Sequence, residues 1–409
     1  MLNFLLANRR WLAGGLLLTV ASSFGQTFFI ALSAGDIREA FSLSHGEFGG
    51  LYMIATLASA ATLPFIGRIV DWTSVRRTVA IVGAALAAAC VAMAFAPSVV
   101  LLVLALYGLR LFGQGMMTHT AMTAMGRWYA AERGRAVSIV ALGHQIGEMI
   151  LPLAFVGALA VGLEWRQVWL LAAGLIVLAV LPAGMKLFAV ERSPKGTATG
   201  GGAEVRSWTR GEVLRDPAFW VLMTGVLAPA FIGTTVFFHQ VYLIELRGWP
   251  PLLFASGFTL MGALTIAAGL LTGFAVDRFG SVAVLPFFPL PLAASCFAIG
   301  TMTGEMAIFV FFALLGVSYG ISQTLFGALW PEVYGTRHLG SVRSVTVAMM
   351  VFATAAGPGL TGSLIDAGFD LPSQMIAMGA YCVIVAFVLA FVSRAVRERM
   401  GVAAPAPAE

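Results

Sequence analysis

Charged residues are scarce in this sequence. They make up 11% of its 409 residues, whereas 59% of the residues are hydrophobic and the mean hydropathy is +0.92. So small a polar surface cannot cover a water-soluble globule of this length. The composition therefore excludes a soluble protein and indicates a protein that lies in a lipid bilayer.

Cysteine is rare as well. Cys90, Cys296 and Cys382 each fall in an apolar stretch without paired spacing, which indicates neither a disulfide framework nor a metal site. The sequence also lacks a P-loop, a nucleophile elbow and a cluster of metal ligands. We therefore predict no cofactor, no bound metal and no enzymatic activity, and we do not expect primary ATP-driven transport by this chain alone.

Long apolar stretches recur along the chain, each of about 20 residues, the length that crosses roughly 30 Å of hydrocarbon. We predict six helices near residues 11–33, 47–66, 78–96, 98–125, 135–162 and 166–188. Six more are predicted near residues 217–243, 253–275, 282–302, 306–330, 340–364 and 373–394. The predicted fold class is an all-α membrane protein with twelve transmembrane helices.

One polar segment divides the chain. Residues 189–216 are rich in Gly, Ser, Thr and charged side chains, a composition that cannot bury enough apolar surface to fold. We predict a flexible cytoplasmic linker there, ending in a short surface helix. The linker separates an N-terminal six-helix half, residues 1–188, from a C-terminal half, residues 217–396, and residues 397–409 are predicted to be a disordered cytoplasmic tail.

Basic residues are concentrated on one side of the predicted helices. With the N-terminus inside the cell, that side carries Arg9, Arg10, Arg68, Arg76, Arg77, Arg127, Arg133, Arg135, Lys186, Arg278, Arg337, Arg343, Arg394, Arg397, Arg399 and those of residues 192–215. Both termini are therefore predicted to be cytoplasmic. The net charge of +5 reflects this topology and does not indicate nucleic-acid binding. We expect a plasma-membrane location, the inner membrane of a bacterium.

Two polar segments repeat one pattern. GRIVD, residues 67–71, and GFAVD, residues 273–277, share the spacing G-x-x-V-D, and the same offset along the chain relates Pro152 to Pro358. Two repeats of six helices, related by an axis along the membrane normal, are a known transporter architecture with its site at the midplane. The repeat therefore predicts a solute transporter.

These segments resemble the signature of the major facilitator superfamily, and the second copy continues as DRFG, residues 277–280. RLFGQG, residues 110–115, is similar to the arginine and glycine motif of that family in helix 4. Residues 127–147 resemble the segment between helices 4 and 5 of monocarboxylate and oxalate/formate members. The resemblance implies the major facilitator fold, with two pseudo-symmetric halves.

We interpret the two signature segments as gating loops, because a carboxylate there can cap a neighbouring helix and latch two conformations. The candidate gating residues are Gly67, Asp71, Arg76, Gly273, Asp277 and Arg278.

A glutamate and an arginine fall near the middle of the membrane. Predicted helices 4 and 5 form an antiparallel hairpin that turns near Tyr129, so we predict that Arg110 faces Glu148 and that Gln114 faces His144. An isolated charge at this depth costs roughly 2.5 to 3.5 kcal/mol or more. A pair between Arg110 and Glu148 is therefore expected.

We assign this pair to substrate binding or proton coupling. A guanidinium suits an organic anion, since it binds carboxylates in bidentate fashion. Separation of the pair would drive Glu148 to take a proton, which His144 could relay. The alternative is a structural salt bridge in a facilitator or a drug or metabolite efflux carrier. The second half lacks such a pair, because Gly316 and Thr354 occupy the equivalent positions.

Other polar residues are expected to line a cavity. Gln26, Tyr319 and Gln323 fall near mid-membrane, with hydrogen bonding between helices as the alternative. His239 and Gln240 lie near the outer end of predicted helix 7, where they would form part of an outer gate or lie in an aromatic belt.

The sequence thus predicts a secondary transporter that works by alternating access as a monomer. Its expected partners are a small organic solute, most simply an anion, a proton carried by symport, and the lipid bilayer. A channel would need a continuous polar lining, which these apolar spans do not offer.

Overall fold

The computed structural model describes residues 2–129, 132–192, 207–335 and 337–400, which form helices and no strand. Eleven helices are long and apolar enough to cross a membrane, and a pair of helices bent by 45° makes a twelfth span. The predicted all-α membrane fold with twelve spans is confirmed.

Six spans form the N-terminal half: α1, the bent pair Phe4–Gly25 and Thr27–Phe41; α2, His45–Ile66; α3, Val75–Phe95; α4, Val99–Trp128; α5, Arg133–Ala160; and α6, Trp165–Leu187. Six form the C-terminal half: α7, Pro217–Phe238 continued by Gln240–Arg247; α8, Pro251–Phe279; α9, Ser281–Thr301; α10, Met306–Tyr334; α11, Leu339–Asp366; and α12, Leu371–Met400. The face at which α1 begins and α12 ends is called the terminal face, and the other the opposite face.

The helix α1 is broken in the middle of the membrane, which the sequence did not reveal. Gln26 has an extended backbone, with ψ of 152°. Next to the break, the backbones of α1 and α4 are in direct contact. A Cβ on Gly25 would collide with the backbone of Leu109 and Gly113. The break therefore holds α1 directly against the middle of α4.

The middle of α4 is itself irregular. Residues Leu109–Met117 form a π-helix inside this span, a wider helix that shifts the direction of the side chains after it and often occurs at functional sites. The segment contains both Arg110 and Gln114. Their directions therefore differ from those of an ideal α-helix.

The two halves meet at the opposite face, where α2 crosses α11. A Cβ on Gly49 would collide with the carbonyl of Pro358, and one on Gly362 with the carbonyl of His45. The two backbones are thus in direct contact, and glycine is required at the crossing because any side chain would separate the helices.

The carboxylate of Asp366, at the end of α11, closes this crossing. It accepts hydrogen bonds from the hydroxyl of Ser44 at 2.7 Å and from the backbone N–H groups of His45 at 3.1 Å and Gly46 at 2.7 Å. These are the first groups of α2, where the unpaired N–H groups and the helix dipole favour an anion. Asp366 therefore caps a helix of the other half.

Further contacts join the halves at the same level. The rings of Phe48 and Phe238 stack with centroids 5.0 Å apart, and the side-chain amide of Gln240 donates to the carbonyl of Phe28 at 2.8 Å. Towards the terminal face the halves diverge and leave a cavity between them, whose wall includes the exposed side chains of Arg343 and Val347. The cavity therefore opens towards the terminal face.

The last part of the linker is ordered against the C-terminal half. A helix, Arg210–Arg215, begins at a capping box and leads into Asp216, whose carboxylate accepts from the hydroxyl of Tyr334 at 2.9 Å and the guanidinium of Arg399 at 2.8 Å. Although burial raises the pKa of Asp216, these hydrogen bonds outweigh it and hold the pKa below its usual value. The predictions of a flexible linker and a disordered tail fall largely on residues 193–206 and 401–409, outside the described residues.

We expect Asp366→Ala to loosen the closed face. In a Thr234→Cys background, whose cysteine lies in the cavity wall, a membrane-impermeant maleimide applied from the opposite face should label about three times faster. Loss of the three hydrogen bonds that this exposed carboxylate accepts, at a net cost of about 0.7 kcal/mol, shifts a two-state equilibrium by that factor. Mass spectrometry measures the labelling rate.

The matched control is Asp370→Ala. Asp370 accepts from the backbone N–H of Ser373 at 2.9 Å and so caps α12 within its own half. Its loss should leave the labelling rate unchanged. Equal rates in the two variants would contradict a latch at Asp366.

Candidate functional site

A cavity of about 420 Å³ lies between the two halves at mid-membrane. This volume falls in the range of roughly 300 to 1,000 Å³ that is typical of sites for small organic molecules. The broken helix α1 and the spans α4, α5, α7, α10 and α11 contribute to its wall.

The N-terminal half presents mainly polar groups to this cavity. They are Gln26 and Thr27 at the break of α1, Gln114 in the π-helical part of α4, and Glu148 halfway along α5. Glu148 is partly exposed to the cavity and supplies the only carboxylate among its lining residues.

Arg110 lies behind this wall. Its side chain is 3% exposed, and Nη1 donates to the carbonyl of Gly25 at 3.2 Å and to the hydroxyl of Thr27 at 3.4 Å. The guanidinium also lies 5.4 Å from the ring centre of Tyr52, whose hydroxyl bonds that of Thr27 at 2.7 Å. The hydroxyl of Thr27 therefore lies between the guanidinium of Arg110 and the cavity.

The predicted ion pair between Arg110 and Glu148 is wrong for this conformation. No carboxylate of the described residues lies within 4.0 Å of the guanidinium, and its Nε has no hydrogen-bond partner there. The equal-depth argument assumed that α4 and α5 are neighbours at mid-membrane. Instead α1 packs against both, and Arg110 donates to the carbonyl of Gly25 at the break in α1.

The predicted pairing of Gln114 with His144 fails for the same reason. Gln114 lines the cavity, whereas Nδ1 of His144 lies 3.2 Å from the hydroxyl of Ser22 in α1. His144 is one helical turn from Glu148 on α5, on the side towards the terminal face.

The C-terminal half supplies two stripes of side chains. On α10, Tyr319, Gln323, Phe326 and Trp330 follow at intervals of three or four residues, and on α11 the stripe is Arg343, Val347, Met350 and Thr354. This spacing places each set on one face of its helix. Along both stripes the polar residues lie at mid-membrane and the apolar ones nearer the terminal face, with Arg343 at the mouth.

The hydroxyl of Tyr319 lies against Gly233 of α7, where no larger residue would fit. A Cβ on Gly233 of α7 would collide with the hydroxyl of Tyr319. Tyr319 and Glu148 both line the cavity. Gly233 therefore positions the hydroxyl beside the polar end of the cavity.

His239 and Gln240 do not line this cavity. They lie at the break of α7 near the opposite face, where Nε2 of His239 is 3.2 Å from the carbonyl of Pro358 and Gln240 bonds Phe28. Their expected place in the cavity wall is thus wrong, and a role in an outer gate stays a prediction.

The predicted gating residues occupy unequal places in the two halves. Asp71 lies in a short helix, Ile69–Trp72, and accepts from Arg127 at 2.6 Å, while the buried Gly67 ends α2. Arg76 is exposed in the first turn of α3.

The second copy is not a loop. Gly273, Asp277 and Arg278 all lie within α8, which continues to Phe279. Both copies are therefore helical, with a break at Gly67 and Arg68 in the first copy and no break in the second.

Several residues at the site escaped the sequence argument. The side-chain amide of Gln145 donates to that of Gln323 at 3.5 Å across the two halves, and Thr27, Arg343 and Met350 line the cavity. The regular spacing along helices 10 and 11 was a usable signal for the last two. No group of three or more potential metal ligands occurs in the described parts of the chain.

Comparisons with known proteins agree with this architecture. A family model described as Major Facilitator Superfamily matches residues 15–358. The oxalate:formate antiporter of Oxalobacter formigenes is 24% identical over 379 residues, which cover 90% of this chain and 87% of that protein.

Solved structures share the fold at low identity. A bacterial homologue of the human lysosomal transporter Spinster, in an inward-facing and unoccupied conformation, has a TM-score of 0.74 and 18% identity, covering 96% of this chain and 98% of that one. The nucleoside transporter NupG has a TM-score of 0.70 and 14% identity, with coverages of 93% and 99%.

We expect Gly233→Ala to destabilise the protein, because its Cβ would displace the Tyr319 ring, and overpacking of this kind costs roughly 1 to 3 kcal/mol. A thermal unfolding scan in detergent would show a lower midpoint, which Tyr319→Phe should partly restore. The control is Gly327→Ala, where the cavity leaves open space around the new Cβ. Equal midpoints for the two alanine variants would contradict the contact.

Proposed function

Because the chain belongs to the Major Facilitator Superfamily, as its motifs predicted, we propose that it moves a small organic anion by alternating access, with a proton as the coupling ion. The family match makes the protein a transporter of organic solutes and not an enzyme. The anion and the proton are the finer part of the proposal.

One observation carries the choice of an anion: the buried guanidinium of Arg110 has no carboxylate partner in the described chain and lies one hydroxyl from the cavity. A lone charge at this depth is unfavourable. The Gly25 carbonyl and the Tyr52 ring offset part of this cost but carry no net charge. An anion in the cavity would supply the missing negative charge.

Proton coupling follows from Glu148 in the same cavity. With Glu148 ionised, Arg110 and Glu148 sum to zero charge and the site has no net attraction for an anion. With Glu148 protonated, the site carries one positive charge and attracts an anion. Binding of the proton and of the anion therefore favour each other, and this mutual effect is symmetric by linkage. The expected result is symport, and His144 stays our candidate for passing the proton.

The relatives support a carboxylate as the anion. The antiporter from Oxalobacter formigenes is named for oxalate and formate, both of which carry the carboxylate group that a guanidinium binds well. Anion exchange without a proton is the second candidate, and that relative's being an antiporter favours it. In exchange, an anion would neutralise Arg110 in each direction of the cycle.

We further propose that the terminal face is cytoplasmic, in the inner membrane of a bacterium, and that a monomer suffices for transport. The basic side chains on that face, such as Arg68, Arg76 and Arg77, support this orientation. The described conformation would then be open to the cytoplasm and closed outside at the crossing of α2 and α11. Asp71 and Arg127, paired at the open face, are our candidates for contacts that change during the cycle.

We expect Glu148→Gln to lose accumulation driven by a pH gradient while it retains anion exchange, because the neutral amide mimics the protonated carboxyl but cannot release a proton. Acetate, oxalate and phenylacetate are first screened by thermal shift, since a bound ligand raises stability. Uptake of the best radiolabelled acid is then measured in proteoliposomes with and without a pH gradient.

Glu398→Gln is the control, because it removes an exposed carboxylate at the end of α12. If Glu148→Gln still accumulates the acid in response to the gradient, Glu148 is not the coupling group. If the wild-type protein exchanges acids but ignores the gradient, anion exchange replaces symport.

We also expect the charged residues to matter more than the neutral ones. Arg110→Gln should abolish acid uptake, and Arg110→Lys, which keeps the charge but not the guanidinium fork, should retain a fraction of it. Tyr319→Phe and Gln323→Ala should change mainly the concentration for half-maximal uptake. Stronger losses from the neutral sites than from Arg110 would overturn this order. Size-exclusion profiles check that each variant is folded.

A further inference from the structure

The cavity has two chemically different ends. Its deep end is polar, formed by Gln26, Thr27, Gln114 and Glu148 of the N-terminal half with Tyr319 and Gln323 facing them. Between this end and the mouth lies an apolar collar, formed by Phe326 and Trp330 of α10 and by Val347 and Met350 of α11. The collar belongs wholly to the C-terminal half.

The collar is available to a solute. Val347 is 55% exposed, and Phe326 and Met350 are partly exposed, although they lie within the protein. Apolar side chains that line a water-filled cavity gain stability when a solute covers them, at roughly 25 cal/mol per Å² of apolar surface removed from water. A solute without apolar surface would leave the apolar side chains of this collar exposed to water.

Two aromatic rings close the deep end on the other side. Phe28 and Phe237 line the cavity there and pack on the buried Phe258, with ring centres 5.8 and 5.1 Å away. The polar groups thus form a narrow layer between aromatic residues and the collar. A carboxylate in this layer points any organic body that it carries towards the collar.

We infer that the solute is an amphipathic monocarboxylate with a ring or a similarly large apolar body, bound with its carboxylate in the polar layer and its body against Phe326, Val347 and Met350. This rests on the proposed transport of an organic anion and names the class of that anion. Formate or oxalate would occupy only the polar layer of a cavity of about 420 Å³.

The experiment compares acids that share one carboxylate and differ in their bodies. Binding of formate, acetate, oxalate, phenylacetate and cyclohexylacetate to the full-length protein is measured by calorimetry, with phenylacetamide as the neutral analogue of the ring acid. We expect the two ring acids to bind at least about tenfold more tightly than acetate, since burial of a ring removes more apolar area from water than that of a methyl group.

The variants test where the body binds. Met350→Gln and Val347→Thr each replace an apolar group by a polar one of similar shape, and each should reduce the preference for phenylacetate over acetate about threefold or more, because the collar loses apolar area. Val388→Thr is the matched control, because Val388 is 38% exposed on α12 and lies outside the cavity wall. It should leave the preference unchanged.

The outcomes separate the two proposals. Tighter binding of formate, acetate or oxalate than of the ring acids, or a preference that the collar variants do not change, overturns the amphipathic solute and leaves anion transport standing. If phenylacetamide binds as well as phenylacetate, the apolar body is supported and the anion is overturned. If none of the acids binds, both proposals fail.

Discussion

The fold depends on how the backbone groups at the break of α1 find hydrogen-bond partners inside the membrane. At Gln26 the backbone of α1 leaves the helix, and lipid cannot pair the backbone groups that the break releases. Arg110 donates to the carbonyl of Gly25, while glycines at 25 and 113 allow the backbones to touch. Thr27, next to the break, lines the cavity, and Arg110 bonds to the break and not to Glu148. Arg110 and Glu148 are thus unpaired while the guanidinium of Arg110 hydrogen-bonds the backbone at the break.

Close backbone contacts through glycine and hydrogen bonds to backbone groups also mark where the two halves join. At the opposite face the helices α2 and α11 touch through glycines, and Asp366 satisfies the N–H groups that begin α2. Towards the terminal face the cavity wall carries larger side chains, such as Phe326 and Met350. Along α11, Gly362 lies at the closed crossing and Met350 lines the open cavity, so the side-chain volumes on this helix follow the shape of the cavity.

Hydropathy alone was enough to predict the twelve spans, because the length of an apolar run is set by the thickness of the bilayer. It could not reveal the breaks at Gln26 and His239, where the residues remain apolar on both sides. The neighbours of α5 were also beyond sequence reasoning: sequential helices were taken as partners, yet α1 packs against α5. Gln26, Tyr319 and Gln323 line the cavity, and their depth follows from position along a span. The direction of Arg110 depends on which helix packs beside it, which hydropathy does not give.

The divided wall of the cavity has a consequence for molecules that resemble the cargo. In the proposed alternating access the two halves would move as separate bodies, and the polar layer belongs mostly to one of them while the collar belongs to the other. A molecule that offers a carboxylate and an apolar body touches both and bridges them. One that offers only a carboxylate would contact Tyr319 and Gln323 of the second half but not its collar, and would hold the halves together less strongly. Such fragments would occupy the protein without being carried, and so act as competitive blockers.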